Sequence, residues 1–97
     1  MIICASASGT WRNLMEILYF AWVRERIGAA SETLAPPSQV ANVAALLDWL
    51  ATRSLGHAAA LVDRGAIRVA IDQEFVAMDA SIGGAREIAI FPPVTGG

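Results

Sequence analysis

The chain contains no lysine: seven of its 97 residues are basic, and all seven are arginine. It has one cysteine, Cys4, and one histidine, His57. A single cysteine excludes an intramolecular disulfide and a cysteine zinc cluster, and gives no sign of an oxidising compartment. One histidine among scattered carboxylates does not supply the convergent ligand set that a metal site needs, so no metal is expected. Charge is scarce as well. Only 16% of residues are charged and the net charge is −2, which offers no electrostatic reason to bind nucleic acid or an anionic membrane. No apolar run is long enough for a membrane span, and no basic cluster precedes the apolar residues at the start, so a cytoplasmic protein is expected.

What is abundant is apolar. Such residues make up 56% of a chain near the common size of one domain, which predicts a single core with some apolar surface left for a partner. Nineteen alanines accompany the arginines, and an alanine- and arginine-rich coding bias is the plain reading of the missing lysines. Residues 1–14 mix Ser6, Ser8, Gly9 and Thr10 without a clear period, whereas regular patterning begins at Met15. Residues 1–14 therefore read as a dispensable extension, with Met15 as the natural start and residues 15–91 as the folded domain.

MEILYFAWV is dense in β-branched and aromatic residues and lacks a helix cap, so it reads as a nine-residue strand. Alternation places Met15, Ile17 and Tyr19 on one side and Leu18, Phe20 and Trp22 on the other. A basic turn through Arg24 and Gly28 leads to a shorter antiparallel strand, SETLA, which Pro36-Pro37 ends because neither proline can donate to a ladder. In NVAALLDWLATR, Val43, Leu46, Leu47 and Leu50 recur at helical spacing, Asn42 is the expected N-cap, and Arg53 sits near the negative end of the helix dipole. SLGHAAAL reads as a short helical turn. AIRVAID alternates with Ile67, Val69 and Ile71 inward, and a turn containing Gln73 leads to a short strand from Phe75 to Met78. Gly83-Gly84 turns the chain into a last strand, EIAIF, with Ile88 and Ile90 on one face. One main helix across a mixed sheet is an α+β arrangement.

Chemistry-bearing motifs are few. His57 has Ser54 and Asp63 nearby in sequence, but no glycine pattern of a nucleophile elbow surrounds Ser54. His57 is assigned no catalytic role, although it is the one acid–base group that an independent small enzyme would use. Gly83-Gly84 lacks the frame of a phosphate loop, and Tyr19, Phe20 and Trp22 lack the basic stripe of a base-stacking surface.

The sequence ends FPPVTGG. Pro92 and Pro93 cannot continue a central strand, so the chain must leave the sheet after Phe91. Extended, residues 92–97 reach roughly 20 Å. Gly96 and Gly97 lack a Cβ, so this end could pass a channel too narrow for side chains and deliver only a carboxylate.

With ILYFAWVRERIG, the helix after Asn42 and VAIDQEFV, this ending resembles the small, sulfur-carrying subunits of molybdopterin synthase, over about Met15 to Gly97. The resemblance implies a ubiquitin-like β-grasp fold with no stably bound cofactor. It also implies that an ATP-dependent activating enzyme adenylates Gly97, which becomes a thiocarboxylate. The large synthase subunit would then use that sulfur to convert a cyclic pyranopterin phosphate, in a heterotetramer. On this reading Pro92, Pro93, Val94, Thr95 and Gly96 line the partner's channel, while Phe91, Leu18 and Phe20 form the docking surface. The absent lysines gain a second meaning, since an activated acyl terminus would acylate nearby amines. Related carriers for thiazole or tRNA thiolation, and a plain interaction module with an incidental diglycine, are the alternatives. The chain departs from the family pattern in three places: Gly84-Ala85-Arg86-Glu87 replaces an acidic turn, Asp72 stands where asparagine is common, and the extension before Met15 is atypical.

Overall fold

Five strands form one mixed sheet in the order β2-β1-β5-β3-β4. The computed structural model describes residues 14–93. The expectations for residues 1–13, and for Val94, Thr95, Gly96 and Gly97, fall outside that range. In chain order the elements are β1 (Met15–Tyr19), α1 (Ala21–Ile27), β2 (Ser31–Leu34), α2 (Val43–Ala51), α3 (Leu55–Leu61), β3 (Arg68–Ile71), β4 (Glu74–Val76) and β5 (Glu87–Phe91), with a 3-10 turn at Arg64–Ala66 before β3. Strand β5 lies in the centre, parallel to β1 and antiparallel to β3, while β2 and β4 pair antiparallel at the two edges. Among the described residues the expected α+β β-grasp layout is present, with three helices where the sequence pattern suggested one main helix and a turn.

The added helix corrects the longest strand expectation. The strand stops at Tyr19, which has Ile90 as its last partner on β5. Phe20 is extended, at φ −126° and ψ 152°, and precedes α1 as its N-cap residue. Ala21 turns the chain with a φ of 55°, a left-handed conformation that is uncommon for a residue with a Cβ. AWVRERI then carries Arg24 and Arg26 in its last turn and ends at Gly28, φ 89°, whose N–H donates to the Arg24 carbonyl at 2.8 Å. That is a glycine helix stop with favourable cations near it. Trp22 consequently packs against the core instead of continuing an outward row of β1.

Helix α2 begins as the sequence indicates. Asn42 Oδ1 accepts from the Ala45 amide at 2.9 Å, and Val43, Leu46, Leu47 and Leu50 are buried. Arg53, two residues past the helix, lies over the Trp49 ring at 5.4 Å. These apolar side chains meet Ile17, Tyr19, Val69, Ile88 and Ile90 from the inner sheet face, so helix stripe and sheet face bury one another. Helix α3 reaches α1 through a close approach: a Cβ on Gly56 would overlap the Arg26 carbonyl oxygen.

The β3–β4 connection is a two-residue loop with both central residues at positive φ, Asp72 at 48° and Gln73 at 74°. This matches a type I′ hairpin, in which aspartate and asparagine tolerate the first position. Asp72 Oδ1 also accepts from the amides of Arg86 and Glu87, at 3.1 and 3.0 Å, so the hairpin tip holds the start of β5. Only an acceptor oxygen is needed there, and an asparagine side chain supplies one as well.

Candidate functional site

The tail leaves from the middle of the sheet. β5 ends at Phe91, and Pro92 and Pro93 follow outside any strand, both half-buried. A root between two neighbouring strands has less freedom of direction than one on a sheet edge, because β1 and β3 both fix its last residues.

Period-two alternation sends Ile88 and Ile90 into the core and turns Ala89 and Phe91 to the opposite face of the sheet. Registers then define a row across four strands: Leu18 beside Ala89, Ala89 beside Ala70, and Ala70 opposite Phe75. Leu18 and Phe91 are half-buried and Phe20 is 45% exposed, so all three expected docking residues reach a surface near the tail root. Phe75, absent from the expected set, is 78% exposed and packs on Phe91 with ring centroids 5.4 Å apart. Its signal was present in the sequence. After a two-residue hairpin loop, Phe75 must face Ala70 and so shares the side opposite Val69 and Ile71.

Charge brackets this apolar row. Arg68 pairs with Phe91 at the tail end, and Glu16 pairs with Glu87 at the other. Although the chain lacks an acidic turn before β5, two carboxylates in adjacent strands still mark that end of the face.

His57 lies elsewhere, on the buried side of α3. It is 6% exposed, its Nε2 is 2.8 Å from Glu32 Oε1, and its Nδ1 is 2.7 Å from Ser54 Oγ. Tyr19 donates its hydroxyl to the same Glu32 oxygen at 2.7 Å. Burial alone would raise the Glu32 pKa, but the bonds from His57 and Tyr19 outweigh it, and the carboxyl sits below its ordinary range. Burial, reinforced by the bond to Glu32, pushes the Tyr19 hydroxyl well above its ordinary value. Asp63 takes no part; its side chain accepts from the Gly65 amide in the 3-10 turn. The four-group cluster escapes sequence inspection because Glu32 lies 25 residues from His57. Among the described residues, no group of three His, Cys, Asp or Glu side chains could hold a metal ion, and no helix is long and apolar enough to cross a membrane.

The sequence model of the ThiS family matches residues 17–97. The chain belongs to the ThiS family. Within it, the chain is similar to the molybdopterin synthase sulfur carrier subunit of Escherichia coli, with 37% identity over 84 residues, covering 87% of this chain and all of that protein. The subunit of the same name from Haemophilus influenzae is 34% identical with the same coverage. Among solved structures, SAMP1 of Haloferax volcanii has a TM-score of 0.64 at 29% identity, covering 87% of this chain and 99% of the other. A Pyrococcus furiosus protein described as molybdopterin converting factor subunit 1 has a TM-score of 0.65 at 22% identity, covering 84% and 98%, and supports the shared β-grasp fold. This ThiS-family member thus carries the ubiquitin-like fold expected from its ending.

Proposed function

We propose that this ThiS-family chain is the sulfur carrier subunit of a molybdopterin synthase in molybdenum cofactor biosynthesis, working in the cytoplasm. The observation that carries the reading is a sequence ending in Gly96-Gly97 whose tail begins, at Pro92-Pro93, directly after the central strand β5. A carboxylate resists substitution because it has no good leaving group. An ATP-dependent activating enzyme would join the Gly97 carboxylate oxygen to the α-phosphorus of ATP, releasing pyrophosphate. A sulfur nucleophile then attacks the acyl carbon, AMP departs, and the thiocarboxylate remains as the sulfur donor to cyclic pyranopterin monophosphate. ATP belongs to the activating enzyme, and the carrier needs no cofactor of its own.

The large synthase subunit is the partner for transfer. Phe91, Leu18 and Phe20 would dock against it, extended by Phe75, with Pro92, Pro93, Val94, Thr95 and Gly96 in its channel. The folded domain acts as a grip that sets where the tail enters. A related carrier for thiazole or tRNA thiolation is the second reading, and co-purification with a thiazole synthase instead of the large subunit would establish its thiazole form. The decisive experiment is intact-mass analysis after incubation with activating enzyme, ATP and a sulfur donor. Replacement of one terminal oxygen by sulfur is expected. No replacement, or unimpaired dithiolene synthesis by a chain lacking Gly97, would overturn the assignment.

A further inference from the structure

The Ser54–His57–Glu32 cluster has no part in the carrier reading. We propose that Ser54 is an activated nucleophile that accepts acyl groups from activated esters, with His57 as its base and Glu32 as the residue that positions the imidazole. The hydrogen-bond pattern assigns the protons. Ser54 Oγ accepts from the His57 backbone amide at 3.1 Å, where it caps α3, and its own proton is free to point at Nδ1, 2.7 Å away. The Glu32 carboxylate can only accept, so Nε2, 2.8 Å away, carries the ring proton and donates to it, and the neutral ring then presents its Nδ1 lone pair to Ser54. Tyr19 holds that same carboxylate oxygen from the other side. Glu32 and His57 are mostly withdrawn from water, whereas Ser54 is exposed, so a fixed base faces a hydroxyl that a reagent can reach.

The arrangement has the order of a hydroxyl–imidazole–carboxylate relay. Capping does not compete with it, because the cap uses an acceptor lone pair and the relay uses the proton. In the reaction, Ser54 Oγ bonds to the ester carbonyl carbon and the C–O bond to the leaving phenolate breaks. The hydroxyl proton passes to His57 Nδ1, and the resulting imidazolium is stabilised by the Glu32 carboxylate before the proton is lost to water.

The test is acetylation of the intact chain by p-nitrophenyl acetate, followed over time by peptide mass mapping. Ser38 and Ser81 are exposed serines in the same molecule and serve as internal references. General-base assistance predicts that Ser54 is acetylated about a hundredfold faster than either. His57→Gln is expected to bring Ser54 down to their rate. Should that variant fail to fold, the comparison within the unaltered chain still decides: an advantage of less than about tenfold at Ser54, below the span typical of general-base catalysis, overturns the proposal.

Discussion

Placing a single methyl group at Gly56 tests how α3 is seated. Its added Cβ would overlap the Arg26 carbonyl oxygen and lie 3.4 Å from the Arg26 carbonyl carbon and the Ile27 Cα. The first of these atoms is main chain in the last turn of α1, so no side-chain rotation relieves it. Two effects oppose each other in Gly56→Ala. Alanine favours a helix over glycine by up to about 1 kcal/mol, less in a first turn, where Gly56 lies. Overpacking a closed interface costs about 1–3 kcal/mol. Overlap of the new Cβ with a main-chain atom puts this site in the upper part of that range, so a net loss of about 1–2 kcal/mol is expected. In a domain of this size that lowers Tm by roughly 4–16 °C. Urea unfolding should show a lower midpoint with an unchanged m-value, since the surface exposed on unfolding is the same. A Gly56→Ala chain as stable as the parent, or more stable, would refute the reasoning and mean that α1 and α3 separate freely.

Three further outcomes follow from the geometry. Ala21→Gly should raise stability by about 0.5–1 kcal/mol, measured by thermal melting, because the left-handed conformation disfavours alanine by about 1–2 kcal/mol and glycine's extra chain entropy returns part of the gain. Glu32 has a lowered pKa in the fold, so its stabilisation is complete above its unfolded value of about 4.3 and is lost as pH falls through the folded value. Acid titration of stability should therefore be shallower in Glu32→Gln than in the parent below that point; an equal slope would remove Glu32 from the cause. Phe75→Ser should leave the urea midpoint nearly unchanged, given 78% exposure, while weakening capture by the large synthase subunit at least about tenfold if Phe75 is a hot spot of the docking face.

The sequence revealed most where one pattern had one structural solution. Val43, Leu46, Leu47 and Leu50 specify a helix face, and Asn42 marks its start through a local hydrogen bond. Ile88 and Ile90 specify the core side of the last strand. MEILYFAWV misled because a short apolar run suits a buried strand and a buried helix start alike. What decided it was the end of pairing at Tyr19 and the glycine stop at Gly28, the second of which stands in the sequence. The proposed docking face was partly legible: Leu18 and Phe91 lie in the first and last strands and Phe20 just past the first, whereas Phe75 joins them only once the two-residue loop is used to set the hairpin register. The Tyr19–Glu32–His57–Ser54 cluster joins β1, β2 and α3, and no local pattern announces such a meeting.

The parallel pairing of β1 with β5 gives this domain a mechanical character. Tension between Leu14 and Pro93 pulls two neighbouring strands lengthwise in opposite senses, so their shared ladder is loaded in shear and its bonds must yield together instead of opening one at a time like a zipper. A force applied between these two points therefore meets a strong axis of the molecule, and the ladder should outlast that of a domain whose end strands can be peeled away.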